Sequence, residues 1–449
     1  MSENGDNRLG LATCVAMIAG SMIGSAIFSL SGLTIYNAGP AAILTWIIAG
    51  AVMFMYGLVC AELSTRYPRS GGVFVFPQKA FEKDPGLSAF MGWISTWGYL
   101  NANIAAIAFA AIYIGTYLSV GFPVFSGLQV PLAIIAIIVV VILNSIRFSL
   151  TGKANNVMVI CLVSALLIYI VTAFASGAWD ADLLTPFFSQ GAAGEAGFLA
   201  SVPTAMVAYG SIVSIAFMVS EVKDPNKTIP RSMVIAMIIV MALYLGVIVS
   251  TVGMVTAEYL AENPGMQYIP LYAAAFSAMQ AFPWMSKVIS IAAVLALITT
   301  MLIVMSMTAR AIQASSECGV LPAGLSKINR YGVPMNACIF IAVPCAVISC
   351  FPGLTSAVVS LGALFAAITI SINCISLMVS RRRMPLPEGA FKAPGGNVLP
   401  VLAMSLIAIC YIPDVISGGW LIWLYTIVWY AVGMIYFRLR VKAGGGHVQ

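Results

Sequence analysis

Long blocks of apolar residues, separated by short polar connections, cover most of the chain. About 20 consecutive apolar residues cross the hydrocarbon of a bilayer as a helix. Because lipid offers the backbone no hydrogen-bond partner, a span must be a helix or a closed barrel, and these blocks lack the apolar–polar alternation of barrel strands. The pattern predicts an all-α integral membrane protein with twelve transmembrane helices, at residues 10–36, 40–65, 88–119, 128–147, 154–176, 197–221, 232–256, 285–313, 335–351, 355–380, 397–416 and 420–439.

Composition and charge agree with this pattern and add an orientation. Hydrophobic residues make up 61% of the chain and charged residues 8%, whereas a soluble domain carries roughly 25% charged residues. Of the 21 Lys and Arg residues, all but Lys287 fall on one side of the predicted bilayer. Since cytoplasmic loops are rich in Lys and Arg, both termini are predicted to be cytoplasmic, in a cell inner membrane. The net positive charge then reflects topology and contact with membrane lipid, and no nucleic acid is expected as a partner.

The first span contains a run of small residues that disfavours a continuous helix. Glycine and serine are poor helix formers, and both recur within this run. One interpretation is an unwound segment at the bilayer midplane, where freed N–H groups attract a carboxylate and freed carbonyls accept from an ammonium. The alternative is a continuous helix with its two glycines on a packing face. The run is Gly20-Ser21-Met22-Ile23-Gly24-Ser25-Ala26.

The sixth span is interrupted at a matching place by Ala208-Tyr209-Gly210-Ser211. Breaks at corresponding positions of two halves point to the substrate site of an inverted-repeat transporter. The pair therefore favours the unwound interpretation. It also predicts that residues 10–176 form one five-helix repeat, residues 197–380 the inverted repeat, and residues 397–439 two additional helices. The two halves share no clear residue-level repeat, so the symmetry is inferred from position.

Four segments resemble the amino acid–polyamine–organocation permeases: residues 20–28, 61–74, 220–231 and 309–334. Their order and spacing carry the resemblance, and the rest of the chain agrees in span count. The resemblance implies a leucine-transporter-type fold of five helices, an inverted five and two more, with helices 1 and 6 broken. It also implies alternating access around a site at the bilayer midplane.

Carried over to this chain, the resemblance implies specific contacts with a zwitterion. Ser25 and the amides of Ser25 and Ala26 are expected to hold the carboxylate. Carbonyls near Met22, Ala208 and Ser211 are expected to hold the amino group.

Three positions depart from the family's usual pattern. Ala26 stands where the family usually has glycine, which narrows the pocket by a methyl group. The sixth span lacks an acidic residue near Ser214, and the fifth span lacks a central lysine, whose matching place is about Ala165. Because a buried lysine can cycle its proton, its absence puts that route to proton coupling in doubt.

The predicted midplane carries no Asp, Glu, Lys, Arg or His in any span. A cationic substrate side chain would lack a counter-ion there, so a neutral or aromatic one is favoured. Asn101 and Asn103 either contact the substrate or bond neighbouring helices. Tyr209 is either a gate or wall of the pocket or a packing residue. Thr299 and Thr300 either ligate sodium or bond back to their own helix.

The sequence thus predicts a secondary transporter for a small amino acid or derived amine, working as an exchanger or a uniporter. A proton- or sodium-coupled symporter is the alternative, and a membrane sensor or channel is the rival from another class. The chain has no GxxxxGK[ST] loop for ATP, and no metal or acid–base constellation lies in the spans. An enzyme, a cofactor and a metal are therefore not expected. A homodimer is compatible with the pattern.

Three further features receive structural interpretations. The nine cysteines lack CxxC spacing and are expected to act as small hydrophobes. The only histidine, His447, lies in a glycine-rich tail. The run Arg381-Arg382-Arg383 is expected to anchor the tenth span at the inner lipid headgroups.

Overall fold

The computed structural model describes residues 8–146, 152–188, 190–417 and 419–442. These residues form helices joined by turns, with one isolated parallel bridge between Leu9 and Val222 and no strand. His447 lies outside them. The α-helices are α1 Leu11–Met22, α2 Ser25–Ala38, α3 Ala42–Arg66, α4 Val75–Ala80, α5 Pro85–Gly121, α6 Gln129–Ser145, α7 Gly152–Ala175, α8 Gly197–Ala200, α9 Val202–Val207, α10 Pro225–Val252, α11 Ala257–Glu262, α12 Pro270–Ser277, α13 Met285–Glu317, α14 Met335–Ser349, α15 Thr355–Arg383, α16 Val398–Ser417 and α17 Gly419–Lys442.

Many of these helices are long and apolar enough to cross a membrane. Within the described residues, eight helical stretches meet that criterion, and four further apolar helices are 10–17 residues long. The longest, α5, has 37 residues, which at 1.5 Å per residue gives roughly 55 Å, well beyond the hydrocarbon thickness of about 30 Å. It packs against α13 and α15 in the centre of the molecule. Large apolar side chains such as Ile238 and Ile427 are exposed on the outer helices, as expected of surfaces that face lipid.

The first span is interrupted at Ile23 and Gly24, between α1 and α2. The Ile23 amide still donates to the Ala19 carbonyl at 2.8 Å, and the Gly24 amide turns back to the Met22 carbonyl at 2.7 Å. A Cβ atom on Gly24 would lie 1.9 Å from the Thr300 Oγ1 atom of α13. Glycine is therefore required where α13 crosses the break.

The other glycine of this run has a different role. A Cβ atom on Gly20 would lie 2.1 Å from Cγ2 of Val159 in α7. Gly20 thus permits close packing of α1 against α7, as small residues do at helix interfaces in membranes. The two interpretations of the glycine pair each hold for one residue: Gly20 serves helix packing and Gly24 the break.

The sixth span also changes its conformation at the predicted place. It begins with the short helices α8 and α9, and α9 ends at Val207. A turn at Ala208 and Tyr209 follows, and residues Gly210–Phe217 then form a 3-10 helix. Eight residues is long for a 3-10 helix, which seldom exceeds three or four. The second half of this span is therefore a tightened helix, where the sequence predicted an unwound segment.

One end of the helical bundle is closed by a buried ionic cluster around Glu62 of α3. Its carboxylate accepts from Arg66 at 2.9 Å, from Arg381 of α15 at 2.5 Å and from the Ala393 amide at 2.8 Å. The Glu62 side chain has no exposed surface. The expectation for the arginine run needs correction at Arg381, because this guanidinium turns inward to Glu62. Only Arg382 and Arg383 of the run are exposed.

The apolar segment 71–81, which is flanked by basic residues, includes the short helix α4. It lies against α5 and α15, and most of its side chains are buried. Protein therefore covers this helix on most sides.

Candidate functional site

A cavity of about 140 Å³ lies where the breaks of the first and sixth spans meet α3, α5, α13 and α15. A water-sized group needs roughly 10–15 Å³ by this measure, so the cavity holds about ten such groups, the size of a small amino acid. The two breaks thus border one shared cavity.

Nine of the thirteen predicted site residues line this cavity. They come from the first, third and sixth spans: Ser21, Met22, Gly24, Ser25, Ala26, Asn103, Ala208, Gly210 and Ser211. The remaining four, Gly20, Ile23, Asn101 and Tyr209, do not line it.

The four residues outside the lining have structural partners elsewhere. Gly20 packs on α7, and Ile23 is fully buried. Asn101 donates from Nδ2 to the Tyr425 hydroxyl of α17 at 2.8 Å, which is the helix-packing alternative. Tyr209 has no exposed surface, and its hydroxyl donates to the Trp46 carbonyl at 3.3 Å. In the structure, therefore, Tyr209 occupies a packing position.

Ser21 connects the two breaks directly. Its hydroxyl lies 2.8 Å from the Ile18 carbonyl, 3.3 Å from the Ser211 carbonyl and 3.2 Å from the Ser214 hydroxyl. One side chain of the first span therefore reaches two residues of the sixth, and it fixes the distance between the two broken helices.

The amide of Ser25, at the start of α2, is already bonded. It donates to Thr300 Oγ1 at 3.0 Å. The next amides, those of Ala26 and Ile27, belong to the first turn of a helix, whose N–H groups have no partner within the helix. They carry the partial positive charge of the helix N-terminus. An anion at this break would therefore meet the Ala26 side of the turn.

Thr299 and Thr300 both donate to the Ala296 carbonyl of their own helix, at 2.8 and 2.9 Å. These bonds follow the back-bonding alternative. Thr300 also accepts from Ser25, so its hydroxyl is engaged both as a donor and as an acceptor. Both threonines therefore have protein partners.

Tyr244 of α10 is a residue that the sequence reasoning missed. Its hydroxyl donates to the Met22 carbonyl and also lies 3.4 Å from the Ala208 carbonyl. These are two of the carbonyls expected to hold an amino group. Tyr244 is fully buried and packs edge-on against Trp46 and Tyr209, with ring centroids 5.1 and 5.2 Å away. A tyrosine in the middle of an otherwise aliphatic span was the signal that could have found it.

The rest of the lining is mainly apolar and carries no charge. Aliphatic, Met and aromatic side chains dominate, and the polar additions are Tyr56, Tyr99, Thr300, Thr369 and Tyr411. No Asp, Glu, Lys, Arg or His lines the cavity. Over the described residues, no group of three or more His, Cys, Asp or Glu could hold a metal ion. The cavity thus suits a neutral or zwitterionic molecule.

Known proteins resemble this chain along almost its full length. A sequence profile described as amino acid permease matches residues 9–432. The branched-chain amino acid permease of Bacillus subtilis is 25% identical over 96% of this chain and 92% of its own length. That of Lactococcus lactis is 26% identical over 94% and 92%. The methylthioribose transporter of Bacillus subtilis is 26% identical over 94% of this chain and 91% of its own length.

Proposed function

The chain belongs to the amino acid permease family, and from this premise we propose that it carries a small neutral amino acid across the cytoplasmic membrane by alternating access. As a member of this family it is a multi-pass membrane protein that transports and does not catalyse. The observation that carries the proposal is the uncharged cavity bordered by both helix breaks. A zwitterion fits such a space, because backbone groups can compensate its two charges.

In the proposed complex the two ends of the zwitterion meet different backbone groups. The carboxylate faces the first turn of α2, where the Ala26 amide and the Ser25 hydroxyl are the donors. The ammonium faces the carbonyl side of the sixth-span break, at Ser211. The Met22 and Ala208 carbonyls accept from Tyr244, and the Ser211 carbonyl accepts from Ser21. Each carbonyl oxygen has a second lone pair for the ammonium.

The substrate side chain is proposed to be neutral. An ammonium or guanidinium group would enter a lining without a carboxylate, and an unpaired charge inside the membrane is costly. Two relatives are branched-chain amino acid permeases, which supports an uncharged substrate. The apolar part of the lining, including Phe109, Val358 and Val359, supports it as well.

For the arrangement in the membrane we propose twelve spans with both termini in the cytoplasm of the inner membrane. The first five-helix repeat covers residues 10–176, the inverted repeat 197–380 and the two additional helices 397–439. The segregation of Lys and Arg to one side supports this topology. Cysteine labelling of single residues in the loops, with an impermeant reagent, tests it.

The proposal is tested with purified protein in liposomes. We expect saturable uptake of a radiolabelled neutral amino acid, competed by other small neutral amino acids and unaffected by arginine or glutamate. Absence of uptake of any amino acid, from a protein that is folded and inserted, would contradict the proposal.

The same liposomes separate the two modes of transport. We propose exchange, in which uptake requires amino acid inside the vesicle and is independent of ion gradients. A symporter would instead require a Na⁺ or H⁺ gradient and no internal substrate. Exchange is supported over proton symport by the cavity lining, which carries no Asp, Glu, Lys, Arg or His that could take up a proton.

A further inference from the structure

The cavity is unevenly polar along its length. Helices α3 and α15 both run toward the ionic cluster of Glu62 and Arg381. At the cavity end nearer this cluster the lining includes Tyr56, Tyr99 and Asn103, whereas Val358 and Val359 line the far end. We call the first of these regions the polar end. Three hydrogen-bonding side chains at one end of this uncharged cavity form a surface for a neutral polar group.

Asn373 of α15 contacts the polar end from outside the cavity. It does not line the cavity, has no exposed surface, and donates from Nδ2 to the Tyr56 hydroxyl oxygen at 2.9 Å. The Tyr56 oxygen therefore acts as an acceptor toward Asn373, and its own hydrogen must point elsewhere. Its protein neighbour is the Cys60 thiol, a weak acceptor. A substrate oxygen in the cavity would be the stronger partner.

Two amide groups at this end have spare hydrogen-bonding capacity. The Asn103 amide lies beside the Tyr99 hydroxyl, but its buried Nδ2 atom forms no well-aligned hydrogen bond. An amide nitrogen carries two hydrogens, so at least one is free for a ligand. The Asn373 Oδ1 atom is likewise buried without a partner. An unsatisfied buried polar group is destabilising, and such groups in native proteins call for an explanation. A ligand that bonds to Asn103 supplies one.

We propose that the polar end is a specificity subsite for a neutral hydrogen-bonding group on the substrate side chain, such as a hydroxyl or a carboxamide. Tyr56 and Asn103 donate to this group, and Asn373 is a positioning residue that orients the Tyr56 hydroxyl. This inference rests on the proposed function, and it extends the substrate class from purely aliphatic to polar uncharged amino acids. A site built to form hydrogen bonds rejects isosteres that lack the partner atoms.

The test compares isosteric amino acids in the full-length protein. Dissociation constants are measured in detergent for the pairs threonine–valine and asparagine–leucine, whose members differ in polarity more than in shape. In the wild type, the polar member of at least one pair is expected to bind at least as tightly as its apolar isostere. Tyr56→Phe and Asn373→Leu are each expected to shift the polar-to-apolar affinity ratio about tenfold toward the apolar member, as the loss of one hydrogen bond would do.

A matched control distinguishes this role from a structural one. Tyr169→Phe removes another buried hydroxyl, whose partner is Thr251 at 2.9 Å, but Tyr169 does not line the cavity. It should leave the affinity ratio unchanged. Asn373→Leu removes a buried unpaired oxygen, so the variant is expected to fold, and Tyr56→Phe provides an independent variant if it does not.

The outcomes separate this inference from the proposed function. An unchanged ratio in Tyr56→Phe, or equal loss of both members of a pair, would overturn the subsite and leave amino acid transport standing. A strong preference of the wild type for both apolar members would also overturn it. Failure of the wild type to bind any amino acid would overturn both.

Discussion

The backbone amide of Ser25 donates a hydrogen bond to Oγ1 of Thr300 across 3.0 Å. The bond joins the first residue of α2 to the middle of α13, and it engages an amide that the family resemblance assigned to the substrate. The start of α2 is thus held by a side chain of α13. Movement of α13 relative to the break would expose this amide, which couples the geometry of the site to the position of α13.

The first prediction concerns Thr300. In Thr300→Val the shape of the side chain is kept while the Ser25 amide loses its acceptor. An unpaired buried donor lowers stability by roughly 1–3 kcal/mol, so we expect a lower melting temperature, measured by thermal unfolding in detergent. Thr299→Val is the control, since Thr299 bonds only to Ala296 and its loss should change the melting temperature less. Equal effects of the two variants would contradict a role of the Ser25–Thr300 bond in holding the break.

The second prediction concerns the glycine at the break. Gly24→Ala would place a methyl carbon 1.9 Å from Thr300 Oγ1, so α13 must shift away or the break must distort. We expect at least a tenfold loss of uptake and a lower melting temperature. Gly210→Ala is the matched control, because it also lines the cavity but its added carbon meets nothing within 4 Å. Equal effects of the two changes would contradict this account.

The third prediction concerns Ser25 itself. In Ser25→Leu a larger apolar side chain enters the cavity next to the carboxylate position, and uptake should be abolished. The protein should still be inserted, as shown by its amount in the membrane fraction and a single peak in gel filtration. Uptake at the wild-type rate would remove the assignment of this break as the carboxylate site.

The fourth prediction concerns the buried cluster at Glu62. In Glu62→Ala, Arg66 and Arg381 lose their carboxylate, and removal of one partner from a buried ion pair costs about 3–5 kcal/mol. We expect a clear drop in melting temperature in detergent. Glu82→Ala breaks the exposed pair with Lys79, 3.0 Å apart, and should change stability by less than about 1 kcal/mol. Similar losses from the two variants would argue against the cluster as a stabilising element.

The positions of both breaks could be predicted from the sequence, because glycine and serine within an apolar span are a local signal. The roles of Gly20 and Gly24 could not be separated in this way. Each depends on an atom from a distant helix, Val159 for one and Thr300 for the other. Helix crossings are set by the packing of the whole bundle, which a single sequence does not display.

The partners of polar side chains were harder to predict than the spans. From its neighbours Arg382 and Arg383, Arg381 is expected to be a lipid anchor. Its guanidinium instead donates to Glu62, more than 300 positions earlier in the sequence. Asn101 and Asn103 are two residues apart on one helix and therefore lie on different faces. Only Asn103 reaches the cavity, and the choice between them required the position of α17.

The bridge between Leu9 and Val222 bears on how the protein is handled. The Leu9 amide donates to the Glu221 carbonyl at 2.8 Å, and its carbonyl accepts from the Lys223 amide at 3.0 Å. Two backbone hydrogen bonds therefore connect Leu9 to the segment that follows the sixth span. A purification tag or fluorescent fusion joined close ahead of Leu9 would crowd this junction, so an attachment beyond α17 is the safer choice for functional work.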